Sequence, residues 1–190
     1  FNIVKEECVN MSLLNIITVP NKILRSKCED VTEDMFGNEL DSFMSSMAET
    51  MYSLNGVGLA APQVGVNRRF LVADMSEGRR ESYVKMVNPE IVSTSEETIK
   101  VSEGCLSIPR FELEVERPWE VTVMYKDPFG TPNKEVLSGY YSIVIQHEID
   151  HLNGVTILDK AGSVTRMMYL KKLKKSKKKI ERIFKKNNLV

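Results

Sequence analysis

A helical pattern of apolar residues occupies the first third of the chain. The apolar positions recur at intervals of three and four residues, which is the spacing of one face of an α-helix. Thr32, followed by two acidic residues, predicts the helix start, and Asn55-Gly56 predicts its end. We therefore expect an amphipathic helix whose methionine-rich face lies in the core. That face comprises Leu40, Phe43, Met44, Met47, Met51 and Leu54.

Short runs of β-branched and aromatic residues fill the middle of the chain. Turn-forming segments separate them, the clearest being Asp127-Pro128-Phe129-Gly130. This alternation of short runs and turns predicts an antiparallel or mixed β-sheet. The predicted strands are Phe70–Met75, Val84–Val87, Glu90–Ser93, Thr98–Val101, Glu120–Tyr125 and Lys134–Leu137.

Two further helices are predicted toward the C-terminus. The first covers Tyr140–Leu152 and ends at Asn153-Gly154, and the second begins near Ser163. In the second helix the apolar residues share one face and the lysines lie opposite, so we expect the apolar face to rest on the body of the protein. Its apolar positions are Leu170, Leu173, Ile180, Ile183 and Phe184.

These elements predict one domain that contains helices and an antiparallel or mixed β-sheet. We expect a peripheral leader at residues 1–10, the domain itself at 11–162, and a basic helix at 163–190 that packs on the same domain. No internal repeat or low-complexity linker suggests a second domain.

Composition places the chain among ordinary globular proteins. Its 190 residues are 42% hydrophobic and 27% charged, which provides a core and excludes intrinsic disorder. No apolar run approaches the roughly 18 residues that a membrane span needs. The three cysteines are too few for a disulfide framework, and the start of the chain lacks the features of a secretory or transit signal. We therefore expect a cytoplasmic location.

The net charge of zero conceals two oppositely charged parts. Residues 1–159 hold 14 basic and 25 acidic residues, a charge of −11, whereas residues 160–190 hold 12 basic residues and one acid, a charge of +11. A basic helix of this kind attracts polyanions, but many such helices only present a solvated face. Both interpretations of the C-terminal helix stay open at this point.

The strongest chemical signal is a pair of histidines. The whole chain contains two, His147 and His151, and four residues separate them in a predicted helix. One helical turn places both imidazoles on the same face, where they can bind one metal ion, and Glu148 lies beside them. This spacing is typical of a catalytic metal site.

A catalytic site of this type needs a third protein ligand and an open position for water. The extended metalloprotease pattern would place a third histidine six residues after His151, where this chain has Ile157. The only acids downstream are Asp159 and Glu181. These features argue against the common zinc proteases.

Cys105 is the favoured third ligand. It lies in the segment Glu103-Gly104-Cys105-Leu106-Ser107, in which a flanking glycine lets the backbone approach a ligand closely. A thiolate is a good donor to Fe, Co, Ni or Zn ions. Cys8 and Cys28 have no chemical neighbours of this kind, so we expect neither to be a ligand.

A glycine-rich segment, residues 56–63, superficially matches a dinucleotide-binding fingerprint. It follows a predicted helix instead of a strand, and Pro62 disfavours helical geometry at Ala61, so the strand–loop–helix unit is absent. The segment can instead place its backbone against an extended ligand. Gln63 at its end offers an amide donor for a developing oxyanion.

In this order, the three segments resemble the motifs of the peptide deformylases, which remove the formyl group from the N-terminal methionine of new polypeptides. The resemblance extends from Val19 to about Lys160. It implies an α+β fold in which small sheets wrap around the helix that carries the histidines. The matching positions are Gly56, Gly58, Ala60, Ala61 and Gln63, residues 103–107, and residues 146–151.

The resemblance also implies a cofactor and partners. Fe(II), held by Cys105, His147 and His151, is the expected metal, and Zn, Ni or Co ions are expected substitutes. The expected substrate is an N-formyl-Met nascent polypeptide, and we expect neither DNA nor a membrane as a partner. Some bacterial relatives dock a C-terminal helix on the ribosome, which makes the ribosome the expected polyanion for the basic helix here.

Chemistry and resemblance together assign further roles. Glu148 is expected to take a proton from the attacking water and to return it to the leaving amine. The Gln63 amide and the Leu106 backbone N–H are expected to stabilise the oxyanion. The resemblance places the substrate methionine in an apolar pocket, with Gly58 and Gly104 binding the peptide as an added strand. The pocket residues are Val57, Val101, Ile143 and Val144.

One position departs from the pattern of many bacterial relatives. They place a basic residue about seven positions after the cysteine, near the downstream end of the substrate, where this chain has Glu112, followed by Glu114 and Glu116. The departure concerns recognition of the substrate and not the reacting groups. Arg117 and Asp150 either support the metal ligands or form a surface ion pair.

Two other classes of protein fit parts of the pattern. A zinc peptidase with the same histidine motif would cleave a peptide bond and release no formate. A ribosome- or RNA-binding module would use the metal only to stabilise the fold, and would not turn over a formyl-Met peptide.

Overall fold

The computed structural model describes residues 13–186, with side chains throughout except at 177 and 179–186. The predicted leader at residues 1–10, including Cys8, lies outside the described residues. The helices are α1 (Asn38–Ser53), α2 (Gly139–Leu152), α3 (Ile157–Lys160) and α4 (Ser163–Lys186). The strands are β1 (Gly58–Ala60), β2 (Phe70–Asp74), β3 (Tyr83–Thr94), β4 (Thr98–Gly104), β5 (Glu112–Pro118), β6 (Glu120–Lys126) and β7 (Pro132–Ser138).

The strands form two antiparallel sheets, which confirms the α+β class. The larger sheet has the order β1-β2-β3-β6-β7, and β4 pairs with β5 in a separate two-stranded sheet. Helix α2 contacts β1, β2, β6 and β7 of the larger sheet and β5 of the smaller one. Ten of its residues are buried, so this helix lies at the junction of the two sheets.

Strand β3 contains two of the predicted strands, Val84–Val87 and Glu90–Ser93, as one continuous strand. The pairing of β3 with β6 shifts register between Val87 and Glu90. Asn88, at the shift, has a positive φ of 50°, and its side-chain amide exchanges two hydrogen bonds of 2.9 Å with the backbone of Val31. These bonds hold the irregular point of β3 to the segment that precedes α1, and the backbone N–H of Asn88 donates to the Arg69 carbonyl at 2.7 Å.

Helix α1 begins at Asn38, and the prediction of a start at Thr32 is wrong. Thr32 instead precedes a short 3-10 turn, Glu33–Met35, and its hydroxyl donates to the Asp34 carboxylate at 2.5 Å. Gly37 then adopts a φ of 130°, a conformation that interrupts any helix running from Thr32 to Asn38. The methionine part of the predicted core face is confirmed, because Met44, Met47 and Met51 are all completely buried. The inclusion of Leu54 in that face is wrong, since Leu54 follows the last residue of the helix and is exposed.

Helix α4 rests on the body through residues near its start. Tyr169, Leu170 and Leu173 pack against a buried cluster that includes Ile108 and Val115. The Tyr169 hydroxyl donates to the Pro109 carbonyl at 3.1 Å. The other predicted contact positions, Ile180, Ile183 and Phe184, lie outside the described side chains. Within the described part of the chain, no helix is long and apolar enough to cross a membrane.

Candidate active site

Helix α2 places the two histidines one turn apart. Their ring centroids lie 5.0 Å from each other, and both side chains face the buried junction of the two sheets. Gly139, with a φ of 59°, starts the helix directly after β7, and Gly154, with a φ of 73°, follows its end. A glycine with positive φ therefore marks each end of this short helix, and the turn that carries His147 and His151 lies between them.

Cys105 joins the histidines from a different part of the chain. It follows the last residue of β4, and its Sγ lies 3.2 Å from Nε2 of His151. The candidate ligand atoms of Cys105, His147 and His151 all lie within 4.8 Å of one another. The fold thus brings together the three residues that the sequence analysis selected.

This cluster fits a divalent metal ion that prefers nitrogen and sulfur donors. One thiolate and two imidazoles form a donor set suited to iron, cobalt, nickel or zinc. Three protein ligands are the number found in catalytic sites, which keep a further position open.

A buried ion-pair network supports His147. The Glu103 carboxylate lies 2.8 Å from Nδ1 of His147 and also accepts two hydrogen bonds from the guanidinium of Arg117. Nη1 of Arg117 donates to Asp150 at 3.0 Å, and Lys160 pairs with the same carboxylate. Only 3% of Arg117 is exposed, so its pair with Glu103 is buried, whereas the side chains of Asp150 and Lys160 are partly exposed.

Glu103 remains ionised within that network. Burial raises the pKa of its carboxyl group, but the hydrogen bonds from Arg117 and His147 outweigh burial and lower the pKa to about 2. An ionised carboxylate on Nδ1 fixes the orientation of the His147 ring and leaves Nε2 available to a metal. Sequence reasoning missed this role of Glu103, although the residue belongs to the cysteine motif.

Glu148 is buried beside the histidines. Burial raises the pKa of its carboxyl group to about 7. Its Oε2 has no hydrogen-bond partner within residues 13–186. A Cβ atom added to Gly58 would lie 2.3 Å from Oε1 of Glu148, so the absence of a side chain at Gly58 makes room for the carboxylate.

Gln63 points its amide nitrogen at the same cluster. Its Oε1 accepts a hydrogen bond of 2.7 Å from the backbone N–H of Ala60, the last residue of β1. The Nε2 therefore faces the other way, 3.7 Å from Sγ of Cys105 and 3.3 Å from Oγ of Ser107. Because the hydrogen bond to Oε1 fixes the orientation of this buried amide, its Nε2 is a preorganised donor.

A cavity of about 610 Å³ opens beside these groups. Gln63, Cys105, Leu106, His147 and Glu148 line it. Every predicted substrate residue lines it too, namely Val57, Gly58, Val101, Gly104, Ile143 and Val144. Sequence reasoning missed Asn55, Arg110, Phe111 and Tyr140, which also line the cavity. Since these four lie outside the motifs, only the fold shows that they reach it.

The family model described as polypeptide deformylase matches residues 13–167. A peptide deformylase of Thermotoga petrophila is 44% identical over 151 residues, which cover 80% of this chain and 88% of the relative. The crystal structure of a peptide deformylase from Legionella pneumophila matches with a TM-score of 0.80 and 38% identity, and covers 90% of this chain and 99% of that chain.

A further match is the Met-Ala-Ser bound structure of a class I type b peptide deformylase from Acinetobacter baumannii. It has a TM-score of 0.73 and 30% identity, and covers 80% of this chain and 99% of that chain. These matches extend over the glycine-rich, cysteine and histidine segments that line the cavity. The chain is thus an enzyme of the peptide deformylase family.

Proposed function

We propose that this chain hydrolyses the formyl group from the N-terminal formyl-methionine of newly made polypeptides and releases formate, with one divalent ion held by Cys105, His147 and His151. The observation that carries the proposal is the cluster of these three residues beside a cavity that Cys105, His147 and the buried Glu148 line. The proposed reaction is that of the family to which the chain belongs. Residues that line the cavity are available for each of its steps.

Fe(II) is the proposed ion, and Zn, Ni or Co ions share enough of its ligand preferences to substitute. When bound, such an ion supplies Lewis-acid polarisation and a lower pKa for water. The chain's own contribution is to hold the ligands in place. Glu103 orients His147, and Arg117 ties Glu103 to Asp150 on helix α2.

Glu148 is the proposed proton carrier. Its Oε1 lies against the backbone of Gly58, and its buried Oε2 has no hydrogen-bond partner in the described part of the chain. Such an oxygen is free to accept a proton from water and to donate it to the amine that leaves. A carboxyl group placed beside the ligands does both steps without binding the metal itself.

Gln63 and Leu106 are the proposed donors to the oxyanion that forms from the formyl oxygen. The hydrogen bond from Ala60 to Oε1 of Gln63 commits its Nε2 to the side of Cys105. Leu106 follows Cys105 and lines the cavity, so its backbone N–H is available near the same point. Donors fixed before the reaction stabilise the charge without reorganising.

The substrate is proposed to bind as an extended strand between β1 and β4. Among the described residues, β1 is an edge strand of the larger sheet and β4 pairs with β5 alone. Both strands line the cavity through Gly58 and Gly104, whose small size lets another backbone approach. The methionine side chain fills the apolar part of the cavity, formed by Val57, Val101, Ile143 and Val144.

The Met-Ala-Ser tripeptide bound to the Acinetobacter baumannii relative supports this assignment. A peptide with a free N-terminal methionine is the product that deformylation leaves. The formyl group itself is small, so a tight site admits it and excludes larger acyl groups.

Replacing Gly58 with Ala is expected to lower kcat about 10- to 100-fold with little change in the thermal midpoint. The new Cβ would lie 2.3 Å from Oε1 of Glu148 and would displace that carboxylate. Displacing a catalytic group by about 1 Å has costs of this order. Gly162→Ala is the matched control, because no atom lies within 4 Å of its added Cβ. Wild-type kcat in Gly58→Ala would contradict the proposed position of Glu148.

Product analysis tests the proposed reaction. Metal-loaded protein incubated with formyl-Met-Ala-Ser should yield formate and an equal amount of Met-Ala-Ser. A zinc peptidase would instead produce shorter peptides without formate. A binding module with a structural metal would leave the peptide intact, and either result would refute the proposal.

The basic helix α4 is proposed to dock on the ribosome. Tyr169 and Leu170 hold the start of the helix on the body, while Lys171, Lys172 and Lys174 are exposed to solvent. Lysines that bind a polyanion release its condensed counterions, which makes the binding sensitive to salt.

Removing residues 171–190 is expected to abolish ribosome binding and hardly change the deformylation of a free short peptide. Binding of the full chain should fall at least about tenfold between about 50 and 200 mM salt. Co-sedimentation with ribosomes measures both effects. Equal pelleting of the two forms, insensitive to salt, would show that the helix only presents a solvated face.

A further inference from the structure

The two faces of the β4–β5 sheet differ in their exposure to solvent. One face is buried against the active site and carries Val101 and Glu103 of β4. The opposite face is exposed, and there Gly104 pairs with Glu112 and Ser102 pairs with Glu114. Side chains along a strand alternate between the faces, so every second residue of a strand added to β4 also lies on the exposed face.

Glu112 is the acidic residue of the exposed face that reaches the cavity. It lines the cavity together with Gly104, whereas Glu114 and Glu116 do not. A Cβ added to Gly104 would lie 4.0 Å from Cγ of Glu112, so the glutamate side chain lies over the space that Gly104 leaves open. No side chain at Gly104 separates the carboxylate of Glu112 from the free edge of β4.

The charge of Glu112 has no partner among the described side chains. Its carboxylate forms no ion pair or hydrogen bond with residues 13–176 or with Lys178. Glu103, in contrast, is neutralised by Arg117, and Glu116 accepts a hydrogen bond from Thr98. Arg110, which carries a positive charge, also lines the cavity.

We propose that Glu112 gives this enzyme a preference for formyl-Met substrates whose second residue is lysine or arginine. The proposal rests on the proposed function, since it places the substrate as a strand on β4. With the methionine side chain directed into the buried pocket, the second side chain lies on the exposed face, the face of Glu112. The substrate strand lies two strand spacings from β5, about 10 Å, so only a long basic side chain meets the glutamate.

The preference is measured as kcat/KM for formyl-Met-Lys-Ala, formyl-Met-Ala-Ala and formyl-Met-Glu-Ala. We expect kcat/KM for the lysine peptide to be about two- to fivefold higher than for the alanine peptide, which is the range of an exposed ion pair. For the glutamate peptide we expect kcat/KM to be lower than for the alanine peptide. Replacing lysine by the shorter 2,4-diaminobutyrate should remove the gain, and so should about 0.5 M salt.

Variants assign the effect to Glu112. Glu112→Gln is expected to give equal kcat/KM for the lysine and alanine peptides. Glu112→Lys is expected to give the highest kcat/KM for the glutamate peptide. In the two Glu112 variants the quantity compared is the ratio of kcat/KM for each charged peptide to kcat/KM for formyl-Met-Ala-Ala. Glu114→Gln is the matched control, because Glu114 lies on the same face and does not line the cavity, and it should keep the lysine preference.

The proposal would be overturned by equal kcat/KM for the three peptides or by a lysine preference that survives in Glu112→Gln. A Glu112-dependent preference for lysine at the third position instead of the second would overturn it as well. A preference for the glutamate peptide that Arg110→Gln abolishes would also overturn it and assign selectivity to Arg110. The absence of formate release from every peptide would refute the proposed function itself, and a selectivity failure alone would leave that function intact.

Discussion

Glu148→Gln should lower the rate of formate release about 10²- to 10⁴-fold while the protein retains its metal. The amide of glutamine has the size of the carboxylate but can neither accept the proton of water nor return it to the leaving amine. Because Glu148 contributes no atom to the cluster of ligand atoms, its replacement leaves Cys105, His147 and His151 in place. The measurements are steady-state formate release and metal content of the same sample.

Glu120→Gln is the control for the Glu148 variant. It makes the same chemical change at an exposed residue of β6 that does not line the cavity, so activity should stay at the wild-type value. Turnover near wild type in Glu148→Gln would remove Glu148 from the mechanism. Loss of the metal together with activity would instead make Glu148 a residue that supports the ligands.

Cys105→Ser should weaken metal binding at least about a hundredfold and abolish activity at limiting metal. Loss of a residue that merely supports a ligand costs about 10- to 100-fold in affinity, and a direct ligand contributes more. A serine hydroxyl is a poor substitute for a thiolate toward iron, cobalt, nickel or zinc. Metal content after dialysis against a weak chelator, with activity before and after adding back the ion, measures both effects.

Cys28→Ser is the matched control for Cys105→Ser. Cys28 is buried in the core, and burial raises the pKa of its thiol to about 11, so the group stays protonated and does not bind metal. Its replacement should leave metal content and activity intact. Greater sensitivity of Cys28 than of Cys105 would show that the proposed ligand set is wrong.

The helices and the metal-ligating residues could be predicted because their signals are local. The periodicity of Met44, Met47 and Met51 predicts a buried helix face, and the spacing of His147 and His151 predicts two side chains on one face of a turn. Cys105 has no local signal of this strength. It was selected because the chain offers no better third ligand, and its position 3.2 Å from His151 depends on the fold.

The features that sequence reasoning missed depend on contacts between distant segments. β5 was missed because its alternating glutamates have low β-propensity, although the residues between them face the core. The irregular point of β3 at Asn88 is held by two hydrogen bonds to Val31, which lies far away in the chain. The link from Arg117 through Glu103 to His147 joins three separate elements in the same way.

Formate release during anaerobic addition of Fe(II) to metal-free protein tests most directly whether this cavity is a metal-dependent deformylase site. With formyl-Met-Ala-Ser as substrate, the rate is expected to rise with each addition and to reach a plateau at one ion per chain. Metal-free protein that releases formate as fast as the loaded protein, or a loaded protein that releases none, would contradict the proposed mechanism.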